Sequence, residues 1–250
     1  MENRRGCIRS GATLTAAFAV SVLAAVFAGP ASGQGAVPDI SGVYWATQYN
    51  AKVQIVGGGD LPLTAKGKAA YEKNMAGLKD GSIVDEARKF CTPDGPVRNL
   101  ATPYPFEIFQ VQPGDVTIVH ELNEQIRSIT LDKPLPKYAD IAVFPFYNGH
   151  AFGRFEGDTL VVEAAGFKEN KTFLDATGAP HTDELVTTER IRKIDPAQLE
   201  IVVNVHDPDY YTRDWQARFV YTLRNDIQLD NYVCGEPHRD ISSVAGVRRP

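Results

Sequence analysis

From Phe106 onward the chain is a succession of short β-prone runs separated by tight-turn signals, and this pattern limits the fold more than any other feature. Phe106–Val111 and Val116–Leu122 flank Gln112-Pro113-Gly114-Asp115, and Gln125–Leu131 follows after two residues. His150–Phe155 and Thr159–Ala164 flank Glu156-Gly157-Asp158. Glu184–Ile194 and Leu199–His206 flank Asp195-Pro196-Ala197-Gln198, and Trp215–Leu223 closes the series. Leu199, Ile201, Val203 and Val205 alternate with Gln198, Glu200 and Asn204, the period of a strand with one buried face. With Val43-Tyr44-Trp45 as a first strand, the total is about nine strands joined largely by hairpins. A meander of this kind removes its exposed edges by closing on itself. The expected fold is mainly β, a single up-and-down, calycin- or lipocalin-like antiparallel barrel of about eight or nine strands with one flanking helix. That helix is expected over residues 65–78, rich in Ala, Lys, Glu and Leu, with Thr64 as N-cap and Gly81 as its stop. Residues 81–104 carry Pro93, Gly95, Pro96 and Pro103 and read as an ordered loop.

The beginning of the chain has a different character. Arg4, Arg5 and Arg9 precede an uncharged apolar run from Ala12 to Ala28, and small residues with Pro30 follow it. This is the layout of a secretory signal peptide, so residues 1–34 are expected to be removed and 35–250 to form the barrel domain. The apolar run of about 17 residues is short for a membrane span, so no stable membrane insertion is expected after its removal. The expected location is periplasmic or secreted. In such a compartment the two cysteines beyond the signal, Cys91 and Cys234, are expected to pair as a disulfide.

The 31 acidic and 26 basic residues give a net charge of −5, which argues against polyanionic partners such as nucleic acid. His120, His150, His181, His206 and His238 form no local ligand pair, and no metal is expected. Neither a Gly-rich phosphate loop nor a Gly-x-Ser-x-Gly elbow is present, and no cofactor is expected.

Several blocks carry a resemblance. Asp39-Ile40-Ser41-Gly42-Val43-Tyr44 is similar to the Gly-x-Trp first strand of lipocalin-type barrels, with Tyr44 in place of Trp. Pro103-Tyr104-Pro105-Phe106-Glu107-Ile108, Asn123-Glu124-Gln125-Ile126-Arg127, Gly149-His150, Glu156-Gly157-Asp158-Thr159-Leu160-Val161-Val162 and Tyr232-Val233-Cys234 resemble the motifs of a large family of exported bacterial proteins. That family usually has His where this chain has Glu124, and often Trp where it has Phe155. The resemblance implies an exported domain spanning residues 38–235 and draws attention to the motif residues, without implying a reaction.

The residues themselves mark out candidates. His150 and Glu163 lie on adjacent predicted strands, with Glu163 roughly opposite Phe152 or Ala151, close enough for a histidine–carboxylate pair of general-base type. Arg127 shares its face with Gln125, Ile129 and Leu131, and a charge there needs a partner, with Glu121 and Glu189 as the choices. An inward Glu189 suits acid–base chemistry, and His181 on its loop is a further catalytic candidate. Asn123, Arg127, Tyr211, Trp215, Phe152 and Phe173 are candidates for binding a ligand. The leading expectation is a cofactor-independent enzyme of lyase, isomerase or cyclase type. It would act on a small apolar or aromatic molecule inside the barrel, with His150, Glu189, Glu121 and His181 as catalytic groups. The alternative is a non-catalytic carrier of such a molecule, and a third reading is an envelope protein with no ligand.

Overall fold

The computed structural model describes residues 37–111, 114–169 and 171–232. Nine strands close into a barrel in chain order. They are β1 (Gly42–Ala46), β2 (Phe106–Val111), β3 (Asp115–His120), β4 (Gln125–Leu131), β5 (His150–Glu156), β6 (Thr159–Ala165), β7 (Val186–Asp195), β8 (Gln198–His206) and β9 (Trp215–Leu223). Every neighbouring pair is antiparallel, including the closing pair of β1 with β9, except β4 and β5, which run parallel. Parity forces this exception, because an odd number of strands cannot alternate in direction all the way round a closed wall. Parallel neighbours need a crossover rather than a hairpin. Residues 132–149 supply it, carrying the short helix α4 (Tyr138–Ile141). The numbering of helices runs α1 (Ala65–Asp80), α2 (Glu86–Lys89), α3 (Pro96–Leu100) and α4, and Leu122–Glu124 form a 3-10 turn.

Register follows from the turns. The Glu156-Gly157-Asp158 turn sets Phe152 opposite Glu163, one of the two pairings the sequence pattern allows. In β8 and β9, Leu199, Ile201, Val203 and Val205 pair with Tyr221, Phe219, Ala217 and Trp215, and all eight point inward. The inner face is completed by residues such as Tyr44, Phe106, Ile108, Ile118, Ile129, Leu160, Val162 and Ile191, each no more than 3 % exposed. Burial of this many apolar side chains is the main stabilising contribution, at roughly 25 cal/mol per Å² removed from water. Two inward tyrosines spend their hydroxyls on backbone: Tyr44 donates to the Ile40 carbonyl at 2.9 Å and Tyr221 to that of Leu100 at 2.7 Å.

The two ends of the barrel differ. One carries the tight turns 157–158 and 196–197. The other carries the long connections 47–105, 166–185 and 207–214. Helix α1 begins at Thr64, whose hydroxyl accepts the Gly67 N–H at 3.0 Å, and stops at Gly81, as expected. The stretch expected to be an ordered loop contains α2 and α3. All five residues of α3 are buried, so it acts as a plug beneath the long connections. Among the described residues no helix is long and apolar enough to cross a membrane. The expected signal segment and Cys234 lie outside the described residues, so neither the cleavage nor the Cys91–Cys234 pairing is placed by the structure.

Candidate functional site

The wall is thin where β4 meets β5, as it is at the two joints of β1. Only Ile129, Thr130 and Leu131 pair with Ala151, Phe152 and Gly153, whereas β3 and β4 pair over six positions. Beyond the last rung the two chains separate. Between Ile126–Thr130 and residues 146–152 lies a groove of about 390 Å³, whose floor also includes Pro93. Its apolar walls are Phe146, Phe152 and Ile126, with Phe146 and Ile126 exposed. This contrasts with the far side of the barrel, where Arg192 and Arg218 both grip Glu200 across the outer face of β7–β9.

Two polar groups stand in the groove. Asn148 holds its side-chain oxygen buried and, among the described residues, without a hydrogen-bond donor. An unsatisfied buried oxygen costs free energy on the order of 1–3 kcal/mol, so any donor brought to it stabilises the site. His150 packs its ring on Phe146 with centroids 4.5 Å apart, and its Nε2 meets the Phe144 carbonyl oxygen at 2.8 Å. A carbonyl only accepts, so Nε2 carries the proton and Nδ1 keeps its lone pair. The Cδ2 edge of the ring faces Gly166, which leaves the Nδ1 edge on the other side. Behind the groove, Tyr147 donates its hydroxyl to Glu86 at 3.4 Å and lies beneath the Lys168 ammonium at 4.4 Å.

The remaining candidates take other places, and several expectations need correction. Arg127 points inward and forms a two-pronged pair with Glu189, Nη1 to Oε2 at 2.8 Å and Nη2 to Oε1 at 2.7 Å. Of its two candidate partners Glu189 is therefore the one used. His150 stands on the outer face of the same wall, because its pairing sets it in the outward row with Phe152 and Arg154. The expected constellation of His150, Arg127 and Glu189 around one space inside the barrel is thus split by the wall itself. Glu163 shares the outward face with His150 but turns to Arg154, 3.7 Å away. The histidine–carboxylate pair is not formed.

Glu121 accepts the Asp230 N–H at 2.8 Å, tying down the segment after β9 rather than facing the interior. His181 is buried in the 166–185 connection with both ring nitrogens engaged: Nε2 with the Thr172 hydroxyl at 2.7 Å and Nδ1 with the Thr182 carbonyl at 2.8 Å. Burial pushes its pKa down, against the opposing pull of that carbonyl and of Asp207. Its place is architectural. Asn123 donates to the carbonyls of Ala87 and Thr92 at 3.2 and 3.1 Å, holding the end of α2 and the loop after it. Tyr211 donates to the Pro180 carbonyl at 2.7 Å and meets Trp215 edge-to-face at 5.5 Å, and both are buried in the core. Phe173 is half-buried in the 166–185 connection, away from the groove. Of the ten candidates, Phe152, His150 and Arg127 line the groove, and Arg127 does so with its charge already paired.

Sequence reasoning missed a polar cluster at the barrel mouth. Arg98 on α3 binds Asp85 through both terminal nitrogens at 3.1 and 2.6 Å and Asp94 through Nε at 2.9 Å. Asn99 and Gln125 exchange side-chain hydrogen bonds at 2.6 and 3.1 Å. Burial raises the Asp94 pKa, opposed by Arg98 and Arg88. The one available signal was the spacing of Asp94 and Arg98, four residues apart across Pro96, a residue that suits the first turn of a helix. Asn148 was missed as well, since a single Asn beside Gly149 reads as turn chemistry.

Among the described residues no group of three or more His, Cys, Asp or Glu side chains could hold a metal ion. Comparison with models of known protein families and with curated protein sequences gives no match.

Proposed function

We propose that this protein binds a small, largely apolar or aromatic molecule in the groove between β4 and residues 146–152, as a non-catalytic binding protein of the periplasm or exterior. The observation that carries the reading is the combination of Phe146, Phe152 and Ile126 with Asn148, whose buried side-chain oxygen lacks a donor among the described residues, in the lining of one space of about 390 Å³. Apolar walls with one or two fixed polar groups are the general character of small-molecule sites. Export is supported by the basic, apolar and small-residue layout of residues 1–34.

A Cys91–Cys234 disulfide belongs to the same proposal. Tyr232, two residues before Cys234, stacks edge-on against Tyr104 with centroids 5.6 Å apart and lies within the electrostatic reach of Arg88 and Asp94, which flank Cys91 in sequence. The Asp230–Glu121 bond brings the same segment toward the barrel mouth.

The second reading is an enzyme using His150 as base. It is favoured by the tautomer, since a proton held on Nε2 by the Phe144 carbonyl leaves Nδ1 free to accept another. Among the described residues no carboxylate lines the groove to support that role, which is why binding ranks first.

Native mass spectrometry of protein purified from its natural source tests the reading by catching the occupant. Quenching of a bound aromatic fluorophore supplies the second measurement. Asn148→Ala and Phe152→Ala are expected to weaken binding several-fold while the folded state persists. Unchanged affinity in both variants would refute the site. Turnover of the captured compound that disappears in His150→Ala would move the assignment to the enzyme.

A further inference from the structure

The β4–β5 joint lacks one rung, and the groups left over define a ligand. The Leu131 N–H donates to the Gly114 carbonyl and the Asp132 N–H to the Gly153 carbonyl. Odd-numbered residues of β4 therefore turn their backbone groups toward β3 and even-numbered ones toward β5. In a parallel ladder, one residue offers its N–H to the carbonyl of one neighbour and accepts from the N–H two positions further on. The pairing of Ile129 with Ala151 is such a rung. The next would have Gly149 donate to the Ile126 carbonyl and accept from the Ser128 N–H.

Gly149 does neither. Its φ of +63° takes it out of the extended conformation, and its N–H donates to the Phe146 carbonyl at 3.2 Å. A side chain there would meet Phe167 at 2.6 Å and the Ala165 carbonyl at 2.9 Å, so the position is committed to its turn. The Ile126 carbonyl and the Ser128 N–H are left facing the groove, without a ladder partner among the described residues. Ile126 and Ser128 both line the groove, which puts the two groups at its wall.

We propose that the groove recognises an uncharged N-acylated amino-acid unit, –CO–NH–CHR–CO–, which supplies the missing rung. Its N–H would donate to the Ile126 carbonyl, and its following carbonyl would accept from Ser128. The spacing of one N–H and one carbonyl across a single tetrahedral carbon is what the two groups of β4 require. Paired residues of a parallel rung share a face, so R points the way Arg127 does, toward the packed interior, and must be small. The acyl group precedes the N–H, so it runs back along β4 beside Ile126, away from Phe152. The unit is uncharged because, among the described residues, no carboxylate lines the groove to meet an ammonium, and Arg127 is already paired with Glu189. This assignment rests on the groove being the binding site.

The test uses the wild-type protein and three probes: N-benzoylglycine amide, its N-methyl analogue, and benzyl alcohol. Binding is followed by amide chemical shifts. N-Benzoylglycine amide is expected to shift the amides of Ile126, Ser128 and residues 148–151. The N-methyl analogue, which lacks the donor, is expected to bind at least about tenfold more weakly, the scale of one well-made hydrogen bond. Equal binding of the N-methyl analogue, or of benzyl alcohol at the same amides, would overturn this proposal while leaving the groove as an aromatic site. No shift of those amides by any of the three would overturn both.

Discussion

Arg127 and Glu189 face each other across the inside of the barrel, with both carboxylate oxygens 2.7–2.8 Å from guanidinium nitrogens, 62 residues apart in sequence. Each is 5 % exposed or less, and the pair is surrounded by a wall that includes Val162, Val203 and Ala217. Isolated charges in such surroundings are far more costly than a matched pair. Glu189→Leu is therefore expected to destabilise the protein by about 3–5 kcal/mol, whereas the double change Arg127→Met with Glu189→Leu is expected to recover most of that loss. Urea midpoints of the wild type and the two variants check it. A double variant no better than the single one would show that the pair's geometry, and not the stranded charge, carries the cost.

His120 lies within electrostatic reach of Arg127 and packs on Phe106, with ring centroids 5.3 Å apart and the planes tilted by 44°. Burial, and then the charge of Arg127, pushes its pKa down to about 3 from 6.5. The unfolded chain therefore takes up a proton between these values that the folded chain refuses. Stability falls as pH drops from about 6.5 toward 3, with a slope approaching 1.4 kcal/mol per pH unit. Burial shifts His181 in the same direction. In His120→Phe the slope between pH 6.5 and 5 is expected to shrink by about one proton, as read from denaturant titrations. An unaltered slope would mean that His120 is charged in the fold.

Gly67 lies on the face of α1 that docks on the 207–214 connection. A methyl group there would stand 2.2 Å from the Tyr210 carbonyl oxygen, the same oxygen that accepts the Thr64 N–H at 2.9 Å. Alanine is the better helix former by about 1 kcal/mol. The clash is with backbone and outweighs that gain, so Gly67→Ala is expected to lower stability by about 1–3 kcal/mol. Lys68→Ala, one residue on and exposed, is expected to stay within about 0.5 kcal/mol of the wild type. Thermal unfolding of the two variants separates helix propensity from docking.

Asn123 combines a left-handed backbone, φ 58°, with two side-chain hydrogen bonds. Asn123→Gly keeps the backbone easy and removes the bonds, at an expected cost of about 1–3 kcal/mol. Asn123→Ala adds a further cost of about 1–2 kcal/mol for a left-handed non-glycine residue. Equal stability of the two variants would show that the backbone there is under no constraint.

For the proposed Cys91–Cys234 bridge, peptide mapping without reductant is expected to recover the linked pair. In the chain-entropy account, closing a loop of more than 100 residues contributes about 4–5 kcal/mol through the unfolded state. Reduction is expected to lower the urea midpoint accordingly. Free thiols at both positions would remove the bridge from the account of stability.

Much of this architecture was legible in the chain. Alternation in Leu199–Val205 predicted the inward face of β8, and the short turn at Gly157 narrowed the partner of Glu163 to Phe152 or Ala151, because a tight turn leaves few registers. Arg127 on an apolar face announced that an acidic partner had to exist. The side of the wall occupied by His150 was not legible. It depends on how β5 joins β4 across the crossover, and a parallel joint has no local turn to reveal its register. The buried mouth around Arg98, Asp94 and Asn99 was hidden for another reason. Proline and glycine mark where periodicity stops, and they say nothing about whether the stretch is then covered by other parts of the chain.

The three-rung joint between β4 and β5 also has a mechanical meaning. A closed wall opens most easily at its short seams, and this one is as short as the two joints that β1 makes with β2 and β9. A molecule seated in that seam acts as a clasp, and its residence time and the opening rate of the barrel become two readings of one motion.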